Sequence, residues 1–253
     1  MGLLRRVLYF FREIGVDPFK TVNSVKFFPK FLKNLIHFLI QSRQFRIKLS
    51  PALNDFQSDS GTAKGHYFWQ DLICAGWIFN EKPDFHFDVG SRVDGFIAHL
   101  TVFMKVSQLD LRGLNSKVPN LTFLKGDAQK PLSQFWRQFD SVSSLHSIEH
   151  FGLGRYGDEI DVNGHVRGLV NISECVKANG LLYVSFPIGK PNVEFNSQRV
   201  IHPMWPINLL EDFKLEKFIL IPWSEIPIND VLPGEVNLDI KGQAGLYCFR
   251  RVR

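Results

Sequence analysis

Residues 85–96 read FHFDVGSRVDGF. The first five alternate aromatic and polar side chains and end on a valine, the texture of a short buried strand. Gly90 follows at once, and a glycine there lets the backbone turn tightly and approach a ligand closely. A helix is then expected over about 94–104, with its N-terminus favouring polar or anionic groups. Strand, glycine turn and helix form the opening half of a βαβ unit.

Further strands are predicted at 106–110, 121–126, 139–145 and 180–186, and two later ones at 214–221 and 245–251. Helices are expected at about 165–177 and 204–212, with Asn179-Gly180 as a stop signal before the fifth strand. Seven strands with intervening helices, the last a hairpin partner of the sixth, make an open α/β sheet. Such sheets bind ligands beyond the carboxyl ends of their strands. Strand two ends in Asp110, twenty residues past Gly90, where a carboxylate can accept both hydroxyl hydrogens of a ribose. Strand three ends in Gly126-Asp127-Ala128, and Asp127 there can accept a hydrogen bond from an exocyclic amine. Taken in order, these positions predict an adenosyl-type ligand.

DVG at 88–90, the acidic end of strand two, GDA at 126–128, SLHSIEHF at 144–151 and KANGLLYVSFP at 177–187 resemble class I S-adenosylmethionine-dependent methyltransferases. The likeness spans roughly residues 70–250. More narrowly, GSRVDGFIAHL, LHSIEHFGLGRYGD and VEFNSQRV resemble an uncharacterised methyltransferase-like family encoded near surface-polysaccharide genes. The resemblance implies a Rossmann-like sheet of order 3-2-1-4-5-7-6 with strand seven antiparallel. It implies S-adenosylmethionine as cofactor, with Gly90 beside the methionine moiety, Asp110 on the ribose and Asp127 near the adenine; Asp88, Arg92 and Ala128 are further candidate cofactor contacts. The chain departs from the family's D-x-G-x-G-x-G loop: Arg92 and Asp94 occupy the second and third glycine places, and Gly95 comes one residue late. Arg92 either obstructs the cofactor or binds a different anionic group such as phosphate.

The string His146-Ser147-Ile148-Glu149-His150 also spells H-x-x-E-H, a zinc-protease pattern. That chemistry needs a long helix, which Gly152 and Gly154 interrupt, so no metal is expected. The resemblance places the string at the lip of a methyl-transfer pocket. There His146 or His150 is either the general base on an acceptor hydroxyl, imidazole being the side chain that titrates near neutrality, or an element that orders the loop. The glycine-dense segment 152–158 is a loop suited to closing over substrate. Tyr156 offers it a stacking face, and Arg155 and Asp158 offer hydrogen bonds. Glu194, Asn196, Arg199 and His202 either complete the acceptor pocket or form a polar surface turn. Lys64, Gly65, His66 and Tyr67 are candidates for a lid.

The 253 residues are 45% hydrophobic and 22% charged, proportions of a globular chain that exclude disordered and disulfide-framework classes. Net charge is +5, yet residues 1–50 alone carry ten Lys/Arg against two Asp/Glu. The body is therefore slightly acidic, which disfavours nucleic acid as a partner and an RNA methyltransferase as a function. Residues 1–80 form a basic, Phe-rich helical extension in this reading, and 81–253 the methyltransferase-like domain. Within the extension a helix over 29–41, opened by Pro29, sets Phe31, Leu32, Leu35, Ile36 and Leu39 opposite Lys30, Lys33 and His37. It reads either as a packed surface helix or as attachment to an anionic membrane. The start MGLLRRVLYFFRE is too short in its apolar run for a signal peptide, and Arg6 does not suit the myristoylation motif. Three distant cysteines, Cys74, Cys175 and Cys248, suggest no disulfide framework. These features predict a cytoplasmic protein, peripheral at the inner membrane face, and the resemblance implies that it O-methylates a glycan or lipid-linked saccharide in surface-polysaccharide biosynthesis. The competing expectation is a degenerate, non-catalytic module of the same fold.

Overall fold

The computed structural model describes residues 11, 15–41, 45–224 and 226–253. The reading of the extreme N-terminus, residues 1–10, lies outside the described residues. Two compact units divide the chain, Met1–Thr62 and Ala63–Arg253.

In the first unit, helix α1 spans Pro18–Gln41 and carries Pro29 in its interior. The expectation that Pro29 opens the helix is therefore corrected. The start signal lies further upstream, at Asp17-Pro18. Asp17 Oδ1 accepts the backbone N–H of Phe19 at 3.0 Å. It also accepts the backbone N–H of Lys20 at 3.2 Å. Pro18 takes the first helical position, where its missing N–H costs nothing. One stripe of α1 packs within the unit. Phe27 is buried against Phe56, ring centroids 5.5 Å apart, and Ser24 Oγ accepts a hydrogen bond from Asn54 at 3.2 Å. Val22, Val25, Leu32, Ile36 and Leu39 are exposed.

The second unit opens with helix α2 (Gly65–Glu81), which the sequence reading assigns to the extension. It buries Gln70, Cys74, Ala75 and Ile78, and its apolar members belong to a core shared with the sheet. The strands are β1 (His86–Val89), β2 (Val106–Asp110), β3 (Leu121–Lys125), β4 (Phe139–Leu145), β5 (Val176–Ile188), β6 (Asn192–Glu194), β7 (Gln198–Val200), β8 (Phe213–Pro222) and β9 (Gln243–Arg251). A seven-stranded sheet runs β3-β2-β1-β4-β5-β9-β8, with β9 antiparallel to both its neighbours. With β8 and β9 as the sixth and seventh strands, this is the expected order. Strands β6 and β7, a small separate hairpin, are absent from the sequence reading. Between β1 and β2 the expected helix is a π-helical turn, Val93–Ile97, running into α3 (Ala98–Thr101). Helices α4 (Gly164–Glu174) and α5 (Trp205–Leu209) complete the unit.

Both faces of the sheet are covered, as a parallel sheet requires. Along β5, Leu182, Val184 and Phe186 enter one core while Leu181 and Tyr183 enter the other, the period-2 alternation of a strand. Register then sets the functional edge. Val89 is level with Leu109, and Asp110 with Lys125, so the turns after β1, β2 and β3 leave the sheet side by side. The three cysteines are buried and free.

Candidate functional site

Two clefts lie at the carboxyl edge of the sheet and share Tyr67 and His146 as a common wall. The first, about 940 Å³ including its mouth, is lined by Gly90, Asp110, Asp127, Ala128, His146 and His150 among others. The second, about 1420 Å³ on the same measure, is lined by Lys190, Asn192, Glu194, Gln198, Trp223 and Asp239 among others.

The turn after β1 is held from below. Asp88 is fully buried and accepts hydrogen bonds from Ser91 N (3.0 Å), Ser91 Oγ (2.5 Å), Ser143 Oγ (2.5 Å) and Gln108 Nε2 (3.2 Å). It does not line the first cleft, so its expected cofactor contact is corrected: the carboxylate fixes the loop instead. Burial pushes its carboxyl up to about 6, against the pull of those four donors. Gly90 sits in the left-handed region, and a Cβ there would run into the Ser147 side chain. Arg92, at the expected glycine place, forms a two-pronged pair with Asp94, Nε to Oδ1 at 3.0 Å and a second nitrogen to Oδ2 at 2.6 Å. Its guanidinium also lies over the Tyr67 ring at 5.1 Å. The two departures from the glycine loop thus satisfy each other.

At the end of β2, Asp110 accepts three bonds from Arg112: backbone N (2.8 Å) and Nε (3.0 Å) to Oδ1, and a guanidinium nitrogen (2.7 Å) to Oδ2. A carboxylate offers about four acceptor positions, so Oδ2 keeps one toward the cleft. Arg112 in turn stacks on Tyr156 at 4.5 Å. Asp127 accepts the Gln129 backbone N–H at 2.9 Å.

His146 follows β4 in the left-handed region, φ 48°, its backbone N donating to Ser185 O at 2.8 Å. A non-glycine residue held there marks a place where the fold dictates direction. The ring stacks on His66 (centroids 5.3 Å, 12° between planes) and meets Tyr67 at 4.9 Å. Its Nδ1 is 2.7 Å from Glu149 Oε1, and Glu149 is fully buried. Burial alone would push the Glu149 carboxyl up, but the charge and hydrogen bond of His146, with His150 beyond, hold it below the usual carboxylate range. A carboxylate only accepts, so Nδ1 carries a proton, and in the neutral ring Nε2 is then the lone-pair nitrogen. Among the described residues Nε2 has no hydrogen-bond partner. The sequence reading passes over the pairing of Glu149 with His146, although its i,i+3 spacing is a usable signal.

His150 is placed differently. Its Nδ1 donates to Ser197 O at 2.7 Å, and Arg155 donates to the same carbonyl at 2.8 Å. Burial pushes the His150 imidazole below its ordinary value, more than Glu149 raises it. His150 therefore ties the loop after β4 to the β6–β7 hairpin through Nδ1, and it lines the first cleft as His146 does. The string Ile148–His150 is a single 3-10 turn, unlike the long helix of an H-x-x-E-H protease.

Tyr156 and Arg155 line the first cleft, with Tyr156 edge-on to His150. Asp158 lines it too, but its carboxylate accepts the backbone N–H groups of Gly152 (2.7 Å), Gly154 (3.3 Å) and Tyr156 (3.2 Å), so it staples the loop rather than reaching for substrate. Arg199 is likewise corrected. It is buried and donates to the carbonyls of Glu149, Phe151, Asp161 and Val162, a bracket between hairpin and loop. Asn196 stands in the exposed turn between β6 and β7 and lines neither cleft. His202 is exposed and faces a third, apolar groove. Glu194 does line the second cleft, accepting from Gln198 at 3.0 Å. Of the lid candidates, Lys64 is exposed outside both clefts, Gly65 backs onto the Trp223 ring, His66 lines the second cleft, and Tyr67 belongs to the wall that both clefts share. His66 is pushed down to about 4, mainly by burial. Trp223, Lys190 and Asp239 in the second cleft also escape the sequence reading, since they come from segments far apart in sequence and outside any motif.

Residues 100–215 match the family DUF268, described as a Caenorhabditis protein of unknown function. No protein of curated function matches the sequence. Among solved structures, the chain is similar to a Burkholderia thailandensis 1,6-didemethyltoxoflavin-N1-methyltransferase, crystallised with 1,6-didemethyltoxoflavin and S-adenosylhomocysteine. The TM-score is 0.51 at 12% identity, over 73% of this chain and 79% of that one. It is also similar to the N-methyltransferase NodS of Bradyrhizobium japonicum WM9, in complex with S-adenosyl-L-homocysteine (0.50, 10% identity, 75% and 89% covered). A third is the methyltransferase domain of the bacterial CtHen1-C (0.51, 12% identity, 73% and 98% covered). The chain thus has an α/β fold whose mostly parallel central sheet matches that of Rossmann-like methyltransferases.

Proposed function

We propose that the protein is an S-adenosylmethionine-dependent methyltransferase that O-methylates a glycan or lipid-linked saccharide in surface-polysaccharide biosynthesis. The observation that carries this reading is His146. The residue stands at the wall shared by two clefts, its Nδ1 is backed by a buried carboxylate, and its buried Nε2 has no protein partner among the described residues. A base so placed meets a donor from one side and an acceptor from the other.

The first cleft suits the cofactor. Gly90 brings backbone close, Asp110 keeps an acceptor position for a ribose hydroxyl, and Asp127 with Ala128 closes the adenine end. The sulfonium cofactor supplies an already activated methyl group, leaving the protein to orient, exclude water and move one proton. His146 Nε2 accepts the hydroxyl proton of the acceptor as its oxygen becomes the nucleophile. Glu149 Oε1 fixes the tautomer and stabilises the charge that develops on the ring. The second cleft suits a sugar: Trp223 offers a ring face, and Lys190, Asn192, Glu194 and Asp239 offer donors and acceptors. The fold's similarity to methyltransferases with S-adenosylhomocysteine bound supports the donor half of this reading.

Calorimetry with S-adenosylhomocysteine tests it. Binding is expected, and Asp110→Ala should weaken it by about 1–3 kcal/mol, the cost of hydroxyls left without an acceptor. Equal affinity in wild type and variant would remove the ribose assignment. A folded protein that binds none would favour the non-catalytic module, whose support is Arg92 and Asp94 in place of glycines.

Helix α1 supplies the membrane half of the reading. Among the described residues no helix is long and apolar enough to cross a membrane. Yet α1 exposes Val25, Leu32, Ile36 and Leu39 among Lys20, Lys26, Lys30 and Lys33, a composition suited to lying on an anionic surface. Each lysine near such a surface contributes about 1 kcal/mol. Reversing Lys26, Lys30 and Lys33 to Glu is therefore expected to abolish co-sedimentation with anionic liposomes at low salt. Unchanged sedimentation of the triple variant would refute attachment through α1.

A further inference from the structure

The β6–β7 hairpin has two unlike faces. Asn192, Glu194 and Gln198 line the second cleft, while Val193 and Arg199, one residue out of step, line a groove on the other side. That groove encloses about 1080 Å³ including its open side, and it is walled by Leu153, Ile160, Val162, Ile201 and Trp205. Arg199 adds little polarity there, because its guanidinium is spent on four backbone carbonyls. Pro191, Asn192 and Val200, at the base of the hairpin, line both spaces, so the polar cleft and the apolar groove adjoin across it.

The groove's rim is costly to leave in water. Val162, Phe195, Ile160 and Val193, all large and apolar, stand largely exposed around one opening. A patch of this kind on a soluble surface marks a place where something binds. These side chains belong to the loop and hairpin that Arg199 locks together, so the patch is a built surface.

We propose that the groove takes the aliphatic tail of the acceptor, whose polar head lies in the second cleft beside His146. The inference rests on the acceptor reading of that cleft and names the acceptor as an amphipathic molecule. A ligand that spans the shared rim has to be polar at one end and apolar at the other. Neither a free sugar nor an isolated hydrocarbon matches both spaces.

The probes are n-alkyl β-glucosides with chains of 6, 8 and 10 carbons, kept below their micellar concentrations, with glucose as the tailless reference. Binding to the full chain is followed by calorimetry. Burying a methylene contributes about 0.8 kcal/mol, so each added pair of carbons should tighten binding roughly 10- to 15-fold. Val162→Asp and Val193→Asp replace exposed side chains, so the fold tolerates them, and each should flatten the chain-length series. S-adenosylhomocysteine affinity, measured on the same samples, should stay unchanged, as neither residue lines the first cleft. Affinity independent of chain length, or absent for every glucoside, overturns the inference. So does a dimer in sedimentation velocity that Val162→Asp dissociates while the chain-length series persists, because a second copy would then own the groove. Chain-length dependence without S-adenosylhomocysteine binding upholds the groove and removes the methyltransferase reading, which separates the two failures.

Discussion

Replacing His146 by Ala is expected to lower methyl transfer by about 10²–10⁴-fold, with S-adenosylhomocysteine affinity nearly unchanged. The magnitude is that of a positioned general base, and the placement follows from the hydrogen bonds. Glu149 Oε1 lies 2.7 Å from Nδ1 and keeps a proton there, so in the neutral ring the nitrogen left to accept one is Nε2, on a residue that lines both clefts. Glu149→Gln tests the same point without removing the imidazole. An amide at that position can donate to Nδ1, which would drive the ring proton to Nε2 and leave no base facing the acceptor. Its effect should approach that of His146→Ala, and the double variant should be little worse than either single one, since the two residues act as a unit. Activity is read as transfer of labelled methyl to a saccharide acceptor. If cofactor affinity and melting temperature fall together with turnover in His146→Ala, the residue is ordering the loop and the base assignment is wrong.

The first three strands were legible in the sequence because each ends in a local signal that no distant contact has to supply. Gly90, Asp110 and Gly126 each follow or close an apolar run, and the parallel register brings them side by side. Asp88 illustrates the limit. Its position in the DVG turn matches a ligand-facing carboxylate, but Ser143 and Gln108 come from neighbouring strands and enclose it, which no spacing along one strand reveals. Arg199 and Asp158 mislead for a related reason. Polar residues near a site look like substrate contacts until their partners are known, and here the partners are backbone carbonyls and N–H groups of the same loop. The start of α1 is different, a local signal present in Asp17-Pro18 that Pro29 outweighs in the sequence reading. Contacts such as Trp223 and Asp239, carried on irregular segments, have no periodicity to announce them.

Acidification should expose how the Gly90 turn is held. His86 is fully buried between Ser141 and Ser143, with each ring nitrogen 2.7 Å from a hydroxyl oxygen. Ser143 gives its hydrogen to Asp88, so it must accept from His86 Nε2, and Ser141 then donates to Nδ1. The neutral ring makes both bonds without placing a charge in a fully buried site. Burial accordingly pushes His86 down to about 3. A base depressed in the folded state contributes stability above its unfolded value, near 6.5, and loses it as pH falls from there toward 3. Asp88, pushed up to about 6, acts with the opposite sign: its contribution is greatest at low pH and is lost as pH rises from about 4 through 6. Between pH 6 and 4 the two therefore offset each other in the wild type, and a variant separates them. His86→Asn keeps a neutral polar group but cannot charge. It should be less stable than wild type at pH 7, where it loses packing and a hydrogen bond. The difference should shrink by about 1.4 kcal/mol per pH unit below pH 6.5, so that the variant equals or exceeds wild type near pH 4. Urea unfolding at pH 7, 6, 5 and 4 reads the difference directly, and a gap that stays constant would show that the ring does not remain neutral for the reason given. In the folded protein it is Asp88 that takes up a proton as pH falls through about 6, and a protonated carboxyl holds Ser91 beside Gly90 less firmly at the mouth of the first cleft. S-adenosylhomocysteine affinity in the wild type should fall below about pH 6.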